Sequence, residues 1–235
     1  MDRLVQRLRV GEEIYRKLKE KYKINLDEFI APRVKHKDLF EFIIGVLLSQ
    51  NTSDKNAIRA YNNLLSNLGS ITPEKILMKK SEEIALLIKS AGMHFQRAKR
   101  IIELARIFSD NEFVSKLVNR IKNSTVEEGR KLLMSLPGVG EKTADVVLLM
   151  YFGKPVFPVD THIRRVTKRL GYVKKNNYET ISRWWMSQLE PRDYLTAHLL
   201  LITHGRKTCK ARKPKCHECP IKDLCKYYTK TTAHP

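Results

Sequence analysis

An all-α fold is predicted for this 235-residue chain by three features of its sequence. Apolar residues recur at helical spacing through most of its length, period-two alternation is scarce, and Ser, Thr and Pro stand where helices start. Hydrophobic residues make up 42% and charged residues 30%. That composition belongs to a folded protein with enough chain to bury a core in one large domain or two modest ones.

The elements follow in order. Residues 39–49 and 54–67 carry apolar faces of helical period. Thr72 ahead of Pro73 reads as an N-cap with proline at the first helical position. Ser81 opens a helix whose face is Ile84, Leu87, Ile88 and Ala91, and Gly92 stops it. Residues 96–108 carry another face, and Thr125 with Glu128 forms a capping box ahead of Leu132 and Leu133. A helical stretch runs from about Lys142 to Phe152 with Gly153 as its stop, and residues 180–189 complete the count. Lys154 to Pro158 holds two prolines and must be extended, which makes it a crossing between two packed lobes. There is no low-complexity tract, flexible linker or visible repeat.

The apolar run from Phe42 to Leu48 is far short of the ~20 residues a membrane-spanning helix needs, and the N-terminus is charged at Asp2, Arg3, Arg7 and Arg9. No membrane span or secretory signal is expected, and the protein is expected to be intracellular, cytoplasmic or associated with the nucleoid. Its 45 basic and 25 acidic residues give a formal net charge of +20. Such a surface suits a polyanionic partner, although a Lys-rich thermostable protein shares the composition. The distribution favours the partner. Arg206, Lys207, Lys210, Arg212, Lys213 and Lys215 form one run without an acid, and Arg164, Arg165, Lys168, Arg169, Lys174 and Lys175 form a second.

All four cysteines, Cys209, Cys216, Cys219 and Cys225, fall within 17 residues near the C-terminus with the spacing C-x6-C-x2-C-x5-C. Two local disulfides would stabilise little else, and a zinc ribbon usually presents two close pairs where this chain has one. Four thiolates in one loop suit a cubane iron–sulfur cluster. Spacing alone leaves all three open.

Upstream, Leu136-Pro137-Gly138-Val139-Gly140 joins two helices, and glycines two apart permit a tight turn that presents amides to an anion. Packing glycines are the plain alternative. Lys142 opens the second helix, where the dipole disfavours its ammonium form, so it reads equally as a nucleophile or as a phosphate-binding lysine. Asp160 precedes Thr161 and is placed to cap a helix.

The strings HGRKTCKARKPKCHECPIKDLC, LPGVGEKTADVV and FPVDTHIRRV together resemble endonuclease III and its adenine glycosylase relatives, helix-hairpin-helix DNA repair enzymes, over roughly residues 36–230. The resemblance implies a structural 4Fe-4S cluster on the four cysteines, with Lys210, Arg212, Lys213 and Lys215 in a loop that meets DNA phosphate. It implies DNA contacts from the hairpin at Pro137, Gly138, Val139, Gly140 and Thr143. It makes Lys142 the nucleophile and Asp160, eighteen residues on, its acid–base and electrostatic support. The enzyme would flip a damaged nucleotide, displace its base, and nick the strand by β-elimination from a Schiff base. VLLSQNTSD resembles the segment whose glutamine fills the vacated space, giving Gln50, and SAGMHFQRAK the loop with an apolar wedge, giving Met93.

There are departures. Bacterial-type enzymes usually carry a basic residue at Glu141 and Asn at Asp145; Gly45 stands where adenine glycosylases have Glu; and thymine- or uracil-mismatch relatives lack the lysine. FPVDT with the following KRLG also resembles plant 5-methylcytosine glycosylases.

The expected architecture is two helical lobes flanking a DNA-binding cleft, a barrel of residues 32–154 and a discontinuous domain of 1–31 with 155–235. The expected function is an oxidised-pyrimidine DNA glycosylase with abasic-site lyase activity, a monomer acting on double-stranded DNA with a damaged base or abasic site. A monofunctional uracil, thymine-mismatch or modified-cytosine glycosylase and a non-catalytic DNA-binding protein are the alternatives.

Overall fold

The computed structural model describes residues 9–232, so Asp2, Arg3 and Arg7 lie outside the described residues. Within that span the chain is all-α, with fourteen α-helices and no strand. They are α1 Val10–Lys21, α2 Ile30–Arg33, α3 Leu39–Leu48, α4 Asp54–Leu68, α5 Pro73–Leu77, α6 Ser81–Leu87 and α7 His94–Phe108. The second half holds α8 Asn111–Asn123, α9 Val126–Met134, α10 Glu141–Met150, α11 Thr161–Leu170, α12 Tyr178–Gln188, α13 Tyr194–Lys207 and α14 Lys226–Thr232. No helix among the described residues is long and apolar enough to cross a membrane.

The chain divides into two compact units, one of residues 25–154 and one joining the residues up to Ile24 with those from Pro155 onward. In the first, α3 is the axis. All ten of its residues are buried, and α2, α4, α7 and α10 pack around it. Each fully buried Phe, Ile or Leu there contributes about 1.5–3 kcal/mol. Its one acid, Glu41, accepts a hydrogen bond from Tyr61. The boundary falls at Asn25, so residues 25–31, expected in the discontinuous domain, lie with this unit. The Ile30 amide donates to Asp54 Oδ1 (2.9 Å), and Ile30 and Val34 fill the space left by Gly45, whose added Cβ would stand 2.8 Å from Val34.

The local start signals read from the sequence operate as expected. Thr72 caps α5 through the Lys75 amide with Pro73 in its first turn, and Thr125 and Glu128 form a reciprocal box on α9. The expected helix from Ser81 to Ala91 is shorter. It ends as α-helix at Leu87 and continues as a 3-10 turn over Lys89–Ala91, with Gly92 left-handed at φ +71°. Its start is set by Glu83, which accepts from the Lys80 amide at 2.9 Å.

The second unit is built on α13, buried on every side from Ala197 to Gly205, with α1 and α11 against it. Trp185 of α12 is fully buried, donates to Thr167 Oγ1 at 2.9 Å and stacks on Phe157. α1 meets the end of α12 through Gly11, whose amide donates to Gln188 Oε1 at 3.1 Å. A Cβ on Gly11 would collide with Gln188 Cβ. Gly11→Ala is therefore expected to cost about 1–3 kcal/mol through overpacking, read as a lowered urea midpoint with an unchanged slope.

Candidate functional site

Leu136 and Val139 are buried and pin the hairpin between α9 and α10. Gly138 needs to be glycine twice over: its φ is +79°, and an added Cβ would meet Arg100 at 2.9 Å. Gly140 has an extended backbone, and its added Cβ would project into open space, so the backbone ahead of α10 is uncovered at that residue. Lys142 is the second residue of that helix and is half-buried. The side chains of Val139 and Thr143 face inward, Thr143 being 3% exposed. What those two positions can offer a phosphate is the backbone amide.

Gln50 docks on this turn, its amide donating to Gly138 O (2.9 Å) and Thr143 Oγ1 (3.0 Å). Met93 is 53% exposed, left-handed at φ +49°, and opens α7. Nothing in the residue pattern of these two segments shows that they share a partner. Buried Arg97 donates to the carbonyls of Leu47 and Gln50 and to those of Ala91 and Gly92.

Asp145 is fully buried, and Arg130 grips both its oxygens, at 2.7 and 3.3 Å. The acid that departs from the bacterial pattern is thus neutralised locally. Arg130→Ala leaves a buried carboxylate without its cation and is expected to cost about 3–5 kcal/mol. Thermal unfolding measures this, and Arg130→Ala with Asp145→Asn should recover much of the loss.

In the other unit Asp160 caps α11, its Oδ1 accepting from the Ile163 amide at 2.7 Å. The strap before it is held by its carbonyls: His198 Nδ1 donates to Pro158 O at 2.9 Å and Ser182 Oγ to Phe157 O at 2.7 Å. His162 lies two residues on. Arg165 can only donate, so at 3.0 Å His162 Nδ1 accepts and the imidazole carries its proton on Nε2. Burial pushes its pKa down, against the pull of Asp160.

The second basic run is only partly a polyanion surface. Arg164 donates to Asn176 O, Arg165 to Cys209 O (3.0 Å) and Gly205 O (2.9 Å), and Arg169 to Lys210 O (2.7 Å), Ala211 O (3.0 Å) and Cys209 Sγ (3.2 Å). These bonds order the start of the cysteine loop without cancelling charge. Lys168, Lys174 and Lys175 remain exposed, as do Lys210, Arg212, Lys213 and Lys215. Lys215 pairs with Glu218 at 3.3 Å, in an exposed bridge of little energetic weight.

The four cysteines are free, part-buried, and line one concavity floored by Val166, Leu170 and Ile221. His204 Nε2 lies 3.8 Å from Cys219 Sγ, while its Nδ1 meets Tyr22 at 3.0 Å. Four unoxidised sulfurs around an apolar floor, with Arg169 aimed at one of them, fit an iron–sulfur cluster by the chemistry of the donor set.

Comparison with known proteins agrees. Residues 44–191 match the HhH-GPD superfamily of base excision DNA repair proteins, and residues 209–225 match the iron-sulfur binding domain of endonuclease III. Endonuclease III of Sulfolobus acidocaldarius is 39% identical over 93% of this chain and 96% of its own, and that of Escherichia coli K12 is 37% identical over 81% and 85%. Among solved structures, a trapped endonuclease III–DNA covalent intermediate aligns with TM-score 0.69 at 28% identity, over 94% of this chain and 98% of that one. A thermostable thymine-DNA glycosylase aligns with TM-score 0.73 at 25% identity, over 94% and 97%. The chain belongs to the HhH-GPD superfamily of base excision DNA repair proteins, and within it to the endonuclease III family. It is a DNA glycosylase and abasic-site lyase whose cofactor is a 4Fe-4S cluster.

Proposed function

We propose that this enzyme removes oxidised pyrimidines from double-stranded DNA and nicks the resulting site, with Lys142 as nucleophile and Asp160 as its acid–base and electrostatic partner. The observation that carries this reading is the position of Lys142 in the first turn of α10, directly behind the Gly138–Gly140 turn on which Gln50 docks.

The hairpin amides would hold a phosphate beside the damaged nucleotide, and Lys210, Arg212, Lys213 and Lys215 would grip the backbone from the other unit. Gln50 and Met93 would fill the space that the flipped nucleotide leaves. The neutral Lys142 amine attacks C1′, the C1′–N bond to the base breaks, and the base leaves with the bonding pair and takes up a proton. The negative charge of Asp160 favours the positive charge that develops at the sugar. Loss of the amine proton and opening of the sugar give a Schiff base. Removal of a C2′ proton then expels the 3′ phosphate as the C3′–O bond breaks, and water releases Lys142.

The cluster, when held by Cys209, Cys216, Cys219 and Cys225, supplies a structural crosslink for the basic loop. The expected substrates are thymine glycol and dihydrouracil duplexes, bound by a single protomer where chromosomal DNA is found. Borohydride reduction of the enzyme on a thymine glycol duplex tests the reading and is expected to yield a covalent protein–DNA adduct. The similarity to a thymine-DNA glycosylase defines the rival, base loss by an activated water, for which base release without an adduct is the signature.

A further inference from the structure

Arg97 is 5% exposed and sits on α7, four residues after Met93. Its donors go to main-chain carbonyls from two separate segments. Nη1 reaches Leu47 O, and Nη2 reaches Gln50 O at 2.9 Å, both at the C-terminal end of α3. Nη2 also reaches Ala91 O at 3.3 Å, and Nε reaches Gly92 O at 3.3 Å, in the turn leading into α7. A helix C-terminus leaves carbonyls unpartnered and carries the negative end of the dipole, so a buried cation is a natural ligand for it.

The grip coincides with unusual backbone. Three non-glycine residues have positive φ among the described residues, and two of them are Asn51 (φ +53°), next to Gln50, and Met93 (φ +49°), next to Gly92. Left-handed non-glycine residues persist where their surroundings over-determine them. Here one planar guanidinium bonds the residues just before both. The Gln50 side chain docks separately on Gly138 and Thr143, and when it turns elsewhere the Arg97 bond to Gln50 O still anchors the backbone.

We propose that Arg97 is a positioning residue for base extrusion, locking the Gln50 and Met93 segments into one rigid element so that both enter the vacated space together. This rests on the proposed roles of Gln50 and Met93. A lysine at the position keeps the charge but, as a single ammonium, cannot span four carbonyls from two segments.

The test uses cluster-loaded Arg97→Lys in single-turnover assays on three substrates: a paired thymine glycol duplex, the same lesion in single-stranded DNA, and a preformed abasic site. A loss of about 10- to 100-fold is expected on the paired lesion, the size that a displacement of about 1 Å produces, with less than threefold on the other two. A merely structural role lowers all three in proportion to the folded fraction, and equal losses, or none, overturn the proposal. Thermal unfolding of the same samples reports that fraction. A second measurement leaves Arg97 intact. Gln50→Ala, Met93→Ala and the double variant are compared by fluorescence of 2-aminopurine opposite the lesion, a readout of unstacking that needs no chemistry. The double variant is expected to lose no more than the worse single one, and independent, multiplying losses overturn the proposal. If the wild type unstacks the duplex but neither releases a base nor forms an adduct, the catalytic reading fails and the Arg97 inference is still decided by the fluorescence.

Discussion

Lys142→Ala is expected to abolish the borohydride-trapped adduct and to slow both base release and strand nicking on the order of 10³-fold or more, while duplex affinity changes little. Alanine favours the helix, and Lys142 is only half-buried at the start of α10, so the variant should fold. Asp160→Asn makes the informative companion. Asparagine caps as well as aspartate, so the 2.7 Å bond to the Ile163 amide can be kept while the negative charge is removed. A rate loss there, with unchanged thermal unfolding, isolates the electrostatic contribution. Single-turnover kinetics with gel separation of adduct, nicked and intact strands measures all of this. A trapped adduct from Lys142→Ala would sink the assignment.

The second large effect is expected from Cys219→Ser. Cys219 Sγ lies 3.8 Å from His204 Nε2, and burial pushes its thiol pKa up to about 11, so a metal must take the place of the proton for it to serve as a thiolate. Without it the cluster loses one of four ligands. The visible iron–thiolate absorbance should fall away, and the loop from Cys209 to Cys225 should lose its crosslink. Arg169 still holds the carbonyls of Lys210 and Ala211, and the Lys215 amide still donates to Thr208 O, so the near end of the loop is retained while the segment between, with Arg212 and Lys213, is loosened. DNA affinity is therefore expected to drop about tenfold or more at moderate salt, with a shallower dependence of log K on log salt because fewer phosphates are engaged. Titrations at several salt concentrations check it. An unchanged slope would show that the loop lysines do not bind phosphate.

What the sequence made legible was local. Thr72 and Thr125 announce helices because a cap is decided within four residues, and Gly138 announces a turn because its left-handed backbone excludes a side chain. The helix α13 is another matter. Buried on all sides, it lacks the polar stripe that marks a periodicity, so no window of sequence distinguishes it. The arginines are harder still. Arg165 and Arg169 read as a basic surface, and Arg97 draws no reading at all, because each bonds carbonyls about 40 to 50 residues distant that come within reach only after folding. Thr143 and Val139 lie in a motif associated with DNA, but the motif does not say which of its residues act through side chains and which through the backbone.

Helix α11 carries a consequence of its own. Asp160 closes its first turn, and Arg165 and Arg169, one turn apart, bind the start of the cysteine loop. Ten helical residues span about 15 Å with little compliance. On the proposed reading this helix acts as a ruler, holding the acid that serves the sugar at a set reach from the loop that grips the strand. Its exposed side chains are free to vary, but its length is not. One residue added or removed would shift the far end by about 1.5 Å and swing it through roughly 100°, taking the basic loop off the strand it is meant to hold.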